Sequence, residues 1–147
     1  MKIIKGDAWE VYAKGNYTFL GITTNGFVRK DGACVMGRGI AATAKQKYPR
    51  LPYTIGSHIL KHGNIVGKWY NPTKNINILS FPVKHNWYDM ADINLIIKSC
   101  KQLMEILGPD ETVLLPRPGC GNGKLDWMEV QKIITPLLDD RVTIISW

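Results

Sequence analysis

The sequence predicts an α/β domain with a mixed sheet sandwiched between helices. Three observations carry this expectation. Strand-like and helix-like runs alternate along the chain. No internal repeat or low-complexity linker interrupts them. Two glycine-rich turns stand between an apolar strand and a helix, the position at which α/β sheets bind ligands. The 147 residues fit one domain, 1–147. A chain of that length buries roughly two-thirds of its unfolded surface, so its core needs no disulfide staples.

Lys2 to Lys5 is a short apolar-cored strand, and Gly6-Asp7 leads into a helical turn from Ala8 to Ala13. Thr18 to Thr24 is a compact β-branched and aromatic run, hence a buried strand, punctuated by turns at Asn25-Gly26 and Lys30-Asp31-Gly32. Gly39 to Tyr48 reads as a helix of small residues ended by Pro49 and Pro52. Asn64 to Tyr70 and Asn75 to Phe81 read as two strands joined by a proline-containing turn. Asp92 to Leu107 is the clearest helix, with Ile93, Ile96, Ile97, Cys100, Leu103, Met104 and Leu107 forming one stripe and Gly108-Pro109 stopping it. Thr112 to Leu115 is a short strand, Asp126 to Leu138 a second amphipathic helix, and Arg141 to Ser146 a final buried strand.

Hydrophobic residues make up 45% and charged residues 21%, which sets aside disordered and collagen-like classes. Cys34, Cys100 and Cys120 show no pair spacing and are odd in number, so reduced thiols in a cytoplasmic protein are expected. No apolar run reaches the roughly 18 residues of a membrane span, so no membrane contact is expected. Met1 to Asp7 lacks an apolar signal core and reads as the start of a domain. The net charge is +7, and from Gly32 to Tyr88 there is no Asp or Glu while all three histidines and eight of the cations fall there. Such a stretch suits phosphates or nucleic acid, although a merely solvated basic face has the same composition.

The glycine turns carry the chemistry. Glycine lets the backbone approach a ligand and adopt positive φ. The N–H groups and dipole of the following helix attract an anion. Gly37-Arg38-Gly39-Ile40 precedes one helix, and Gly119-Cys120-Gly121-Asn122-Gly123 precedes another. Either alone reads equally well as a tight structural turn; together they can grip a diphosphate from two sides. Gly37-x-Gly39-x-x-Ala42 also fits the dinucleotide fingerprint. That fingerprint needs an acid about 20 residues on, and the next acid here is Asp89. No Walker loop occurs.

Four motifs taken together resemble the macrodomain family. They are Gly6-Asp7 after the first strand, Val35-Met36-Gly37-Arg38-Gly39-Ile40-Ala41, Phe81-Pro82-Val83-Lys84-His85-Asn86-Trp87, and Pro118-Gly119-Cys120-Gly121-Asn122-Gly123-Lys124-Leu125-Asp126-Trp127. They cover nearly the whole chain in the right order. They are most similar to the branch holding terminal ADP-ribose glycohydrolase and the DNA ADP-ribosyl glycohydrolase antitoxins, and small phage and bacterial macrodomains look similar as well.

The resemblance implies a three-layer α/β/α fold with an ADP-ribose cleft. Asp7, beside Ala8, would bind the adenine amino group, although a helix N-cap is an equally good role for it. Val35, Met36, Gly37, Arg38, Gly39 and Ile40 would form the first phosphate loop. Pro118, Gly119, Cys120, Gly121, Asn122 and Gly123, with Leu125, would form the second. Asn25 would lie toward the distal ribose, with extra residues Gly26 to Ala33 following it. Pro82 and Val83 would flank the catalytic Lys84, whose amine can attack the anomeric carbon or stabilise the departing group if burial and nearby cations lower its pKa. The plainer reading of Lys84 is a surface cation that meets phosphate. Terminal ADP-ribose glycohydrolase has an aspartate where this chain has Gly123. The DNA-directed enzymes have glycine there.

Cys120 reads as a structural thiol without a local histidine to activate it. His58 and His62 lack a neighbouring Glu, so neither a metal nor another cofactor is expected. Three functions follow: an ADP-ribosyl glycohydrolase acting on a DNA base or acidic side chain, an ADP-ribose 1″-phosphate phosphatase, or a non-catalytic ADP-ribose binder. ADP-ribose or an ADP-ribosylated macromolecule is the expected partner, nucleic acid is a further candidate, and the chain is expected to be a monomer.

Overall fold

A computed structural model describes residues 1–71 and 76–147. The chain builds β1 (Lys2–Lys5), α1 (Ala8–Lys14), β2 (Phe19–Asn25), α2 (Gly39–Lys47), α3 (Leu51–His62), β3 (Gly67–Trp69), β4 (Ile78–Lys84), α4 (Ile93–Ile106), β5 (Val113–Pro116), α5 (Trp127–Ile134) and β6 (Val142–Ser146). The six strands lie in the order β1-β6-β5-β2-β4-β3. Only β3 runs antiparallel to its neighbour among the described strands, so the sheet is mixed as expected.

Alternation along the strands divides two cores between the sheet faces. Phe19, Leu79, Phe81, Val113, Leu115, Val142 and Ile144 pack on one side with Ile96, Cys100 and Leu103 of α4 and Val130 and Ile134 of α5. Leu20, Ile22, Ile78, Leu114 and Ile145 pack on the other with Ala41 and Ala44 of α2, Leu51 and Ile55 of α3, and Ala8, Trp9 and Val11 of α1. These are the three layers α1-α2-α3, sheet, and α4-α5. No described helix is long and apolar enough to cross a membrane.

Several local expectations are corrected. Leu51–His62 is a full helix that the proline pair concealed: Pro49 ends α2, but Pro52 occupies the first turn of α3, where its missing N–H costs nothing. Pairing also cuts the expected strand at 64–70 to Gly67–Trp69 and moves the next from 75–81 to Ile78–Lys84. The proline-containing turn, with the start expected at Asn75, lies outside the described residues. Pro82 is tolerated inside β4 because β3 pairs only as far as Ser80. The helix expected from Asp126 to Leu138 is α5 followed by a 3-10 turn, Thr135–Leu137, that contains Pro136.

Candidate functional site

A cleft of about 1300 Å³ opens at the C-terminal ends of β2, β4, β5 and β6. It brings together the first turn of α1, both glycine loops and Lys84. Of the residues singled out in the sequence, Asp7, Ala8, Asn25, Val35 to Ile40, Val83, Lys84, Gly119 to Gly123 and Leu125 all line it. Pro82 and Pro118 do not: both are buried behind the wall. The Pro82 carbonyl accepts a hydrogen bond from Ser99 Oγ at 2.7 Å, which fixes the end of β4 rather than a ligand.

The first loop delivers the N-terminus of α2 to the cleft. Gly39 has φ +59°, a conformation glycine holds without strain. No side chain caps α2 and no acid occupies its first turn, so its dipole meets no competing carboxylate. The second loop folds back on itself, with Leu125 N–H donating to Gly119 O at 2.9 Å and Lys124 N–H to Gly121 O at 3.0 Å. Asn122 approaches the first loop: a Cβ at Gly39 would lie 3.6 Å from its Nδ2. The two loops therefore face each other across the cleft.

Gly123 has a steric reason to be glycine. A Cβ there would lie 2.4 Å from Gly119 O and 2.7 Å from Ala91 Cβ. The loop as folded has no room for an acid at this position. Asp126 stands at the start of α5 but makes no side-chain cap bond, contrary to the capping role its position suggests, and its residue lines the cleft. Asp7 does cap: its Oδ1 accepts from Trp9 N–H at 2.8 Å and Glu10 N–H at 3.2 Å.

Asn25 is more occupied than expected. Its Nδ2 donates to Val35 O at 2.9 Å, and its Oδ1 accepts from Phe27 N–H at 2.9 Å. The side chain thus pins both ends of the segment that joins β2 to the first loop. Lys84 is paired with Asn25 across the parallel β2–β4 register, and its Nζ donates to Asn122 O at 3.3 Å. The segment after it is anchored by Asp92 N–H to Val83 O at 2.9 Å and by His85 Nε2 at 2.8 Å from Asp92 Oδ2. Burial lowers the Lys84 pKa, the charges of Arg38 and Lys124 lower it further, and Asp89 partly offsets them. Burial also pushes the Cys120 thiol up to about 11, so it is an inert wall residue at neutral pH.

Further lining residues escaped the sequence reading. Trp9 follows from α1. Ser146 arrives because β6 runs parallel beside β1, with Gly6 N–H donating to Ser146 O at 2.8 Å. Arg117 stacks 4.9 Å over the Trp127 ring, and its Nε is buried without a described partner. Sequence spacing carries no signal for such an edge pairing, although Arg117 lies one residue before the second motif.

No protein-family model matches the chain. Over 106 residues it is 30% identical to proteins described as DNA ADP-ribosyl glycohydrolase from Mycobacterium bovis and Mycobacterium tuberculosis. That match covers 67% of this chain and 30% of those relatives, so the chain spans about a third of their length. Among solved structures it is similar to Thermosipho africanus DarTG in complex with ADP-ribose (TM-score 0.77, 21% identity), covering 98% of this chain and 41% of that one. It is similar also to the macrodomain of Mycobacterium tuberculosis DarG (TM-score 0.75, 24% identity), covering 99% and 97% of the two chains. The macrodomain of Thermus aquaticus DarG gives a TM-score of 0.73 at 24% identity, covering 98% and 95%.

Proposed function

We propose that this chain, which belongs to the macrodomains, binds ADP-ribose in the cleft and hydrolyses the bond between the distal ribose and a modified target. The single observation that supports turnover is Lys84. Its amine sits at the end of β4 between the two phosphate-binding loops, bonded to Asn122 O and depressed in pKa by burial and two cations. The relatives described as DNA ADP-ribosyl glycohydrolase favour a DNA base over an acidic side chain as the target, and the net charge of +7 suits a polyanion.

In this reading the diphosphate lies between the N-terminus of α2 and the second loop, and the adenine lies toward Asp7. The neutral Lys84 amine attacks the anomeric carbon of the distal ribose, forming a C–N bond as the bond to the target breaks. The target leaves with the bonding electron pair and takes up a proton. Water then hydrolyses the C–N adduct, releasing ADP-ribose and the free amine. No redox partner is needed. Asp89, whose charge acts on Lys84, and Asp126, free of a capping bond and lining the same cleft, are acids available to handle a proton. A monomer in the cytoplasm of a bacterium, or made by a phage, completes the reading.

A second reading, an ADP-ribose binder without turnover, draws on Gly123, where no carboxylate fits. One experiment separates the two. Wild type and Lys84→Ala are incubated with ADP-ribosylated DNA, ADP-ribosylated protein and ADP-ribose 1″-phosphate. Release by wild type alone supports the hydrolase. Binding of ADP-ribose by both proteins without release supports the binder. Phosphate release alone makes the protein a phosphatase.

A further inference from the structure

A second concave surface, of about 770 Å³, runs along the outer side of α3. Arg50, Tyr53, His58, Lys61, His62 and Trp69 line it, and no Asp or Glu is among its lining residues. Leu51 and Ile55 on the opposite side of α3 face the sheet, so the groove face is the one the helix presents outward. A solvated helix face ordinarily interleaves acids with bases for i, i+4 support. The 12 residues of α3 contain none.

The aromatic part of the groove is held in place. His58 meets the Trp69 ring edge-on at 5.3 Å and the His62 ring at 5.2 Å, and His58 Nε2 lies 3.1 Å from Ile65 O. The cations are not held: Arg50 and Lys61 are exposed and take part in none of the described ion pairs. Fixed rings beside free, unopposed cations are what a single nucleic-acid strand needs, because its bases stack while its phosphates seek charge. A duplex hides its base faces and would leave the rings unused.

The groove adjoins the cleft through one segment. Phe27 and Arg29 line the cleft. A few residues on, Asp31 Oδ2 accepts from Tyr53 Oη at 3.3 Å, and Cys34 N–H donates to Pro52 O at 2.9 Å. Asp31 is the acid at the groove's rim, and its oxygen is taken by Tyr53.

We propose that the α3 groove is a binding track for single-stranded nucleic acid, with phosphates on Arg50 and Lys61 and bases against Tyr53 and Trp69. It extends the proposed function by giving a polymeric target a second foothold beside the cleft, yet it is readable without turnover.

The test is fluorescence anisotropy of an unmodified, labelled oligothymidylate with wild type and with Arg50→Ala/Lys61→Ala. Wild type binds, and the slope of log K against log salt falls by about 1.4 in the double variant, two lost contacts at about 0.7 each. Saturating ADP-ribose leaves strand binding in place, and the double variant binds ADP-ribose as wild type does. Three results would overturn the track: no binding by wild type at low salt, an unchanged slope in the double variant, or displacement of the strand by ADP-ribose. Failure of the glycohydrolase reading is separate. It appears as absent release from a modified target, whatever the anisotropy shows.

Discussion

The Lys84 ammonium donates to the backbone carbonyl of Asn122 at 3.3 Å, which ties the end of β4 to the second glycine loop. The bond places the amine at the meeting point of the two loops, near the cations Arg38 and Lys124 and with the Asp89 charge partly offsetting them. This arrangement governs the first two predictions.

Lys84→Ala is expected to reduce release of ADP-ribose from a modified DNA strand by at least about 100-fold, the lower end for loss of a positioned acid–base or nucleophilic group. Its affinity for free ADP-ribose stays within a few-fold of wild type, because in the proposed binding mode the loops and α2 supply the diphosphate contacts. Single-turnover release and calorimetry measure the two quantities separately. A variant that turns over normally would remove the amine from the mechanism.

The pH dependence follows from the causes of the Lys84 shift. In the proposed mechanism the active form is the neutral amine, so kcat/KM is expected to rise with pH and to level off above an apparent pKa below the ordinary 10.5. Lys124→Ala removes a cation that lowers the pKa, so its profile moves to higher pH. Asp89→Asn removes the charge that raises it, so its profile moves to lower pH. Profiles that move together, or not at all, contradict this placement.

Installing an acid in the second loop is expected to fail. Gly123→Asp forces a Cβ to within 2.4 Å of Gly119 O. Overpacking of this kind costs about 1–3 kcal/mol, read as a Tm drop of roughly 2–10 °C. ADP-ribose affinity falls with it, since the loop must open to admit the side chain. A stable Gly123→Asp protein with raised activity would show that the loop is more pliant than its packing indicates.

Acid stability should depend on Glu111. Burial raises its pKa, but hydrogen bonds from Lys68, Tyr70 and the Gly108 N–H outweigh burial and hold the carboxyl at about 2. Lys68 also donates to Ile106 O at 2.7 Å, so the cluster clips β3 to the end of α4. A depressed carboxyl contributes stability above its unfolded pKa, near 4.5, and loses it as pH falls toward 2. Discounted for solvent screening of this partly exposed cluster, the contribution is roughly 1–3 kcal/mol. Glu111→Gln is expected to lower Tm at pH 7 and to flatten the loss of stability between pH 4.5 and 2.

The thiols should be quiet. Burial holds Cys120 at about 11 and both Cys34 and Cys100 at about 12. Native protein at pH 7.5 is expected to resist iodoacetamide and to label at all three positions only after unfolding, as peptide mass mapping would show. Fast native labelling of Cys120 would instead mark an activated thiol in the cleft.

Much of this molecule was legible from local pattern. The stripe from Ile93 to Leu107, the β-branched run at Thr18 to Thr24 and the two glycine loops are short-range signals: side-chain periodicity and the backbone freedom of glycine act within a few residues. They were enough to predict an α/β domain and the two glycine loops that line its cleft, whereas Lys84 stood out only through the resemblance to macrodomains. What local pattern could not decide was what those residues meet. Pro52 reads as a helix stop until α3 starts one residue before it. The resemblance places Asn25 toward a ligand, and only the fold shows that its amide, while lining the cleft, also binds Val35 O and Phe27 N–H. Gly123 reads as a missing acid until Gly119 and Ala91 are seen to fill the space a Cβ would need. The placing of Ser146 and Trp9 in the cleft depends on the β1–β6 pairing, which joins the two ends of the chain. Pairings and clashes of that kind are set by contacts between distant residues, and only the folded chain brings those residues together.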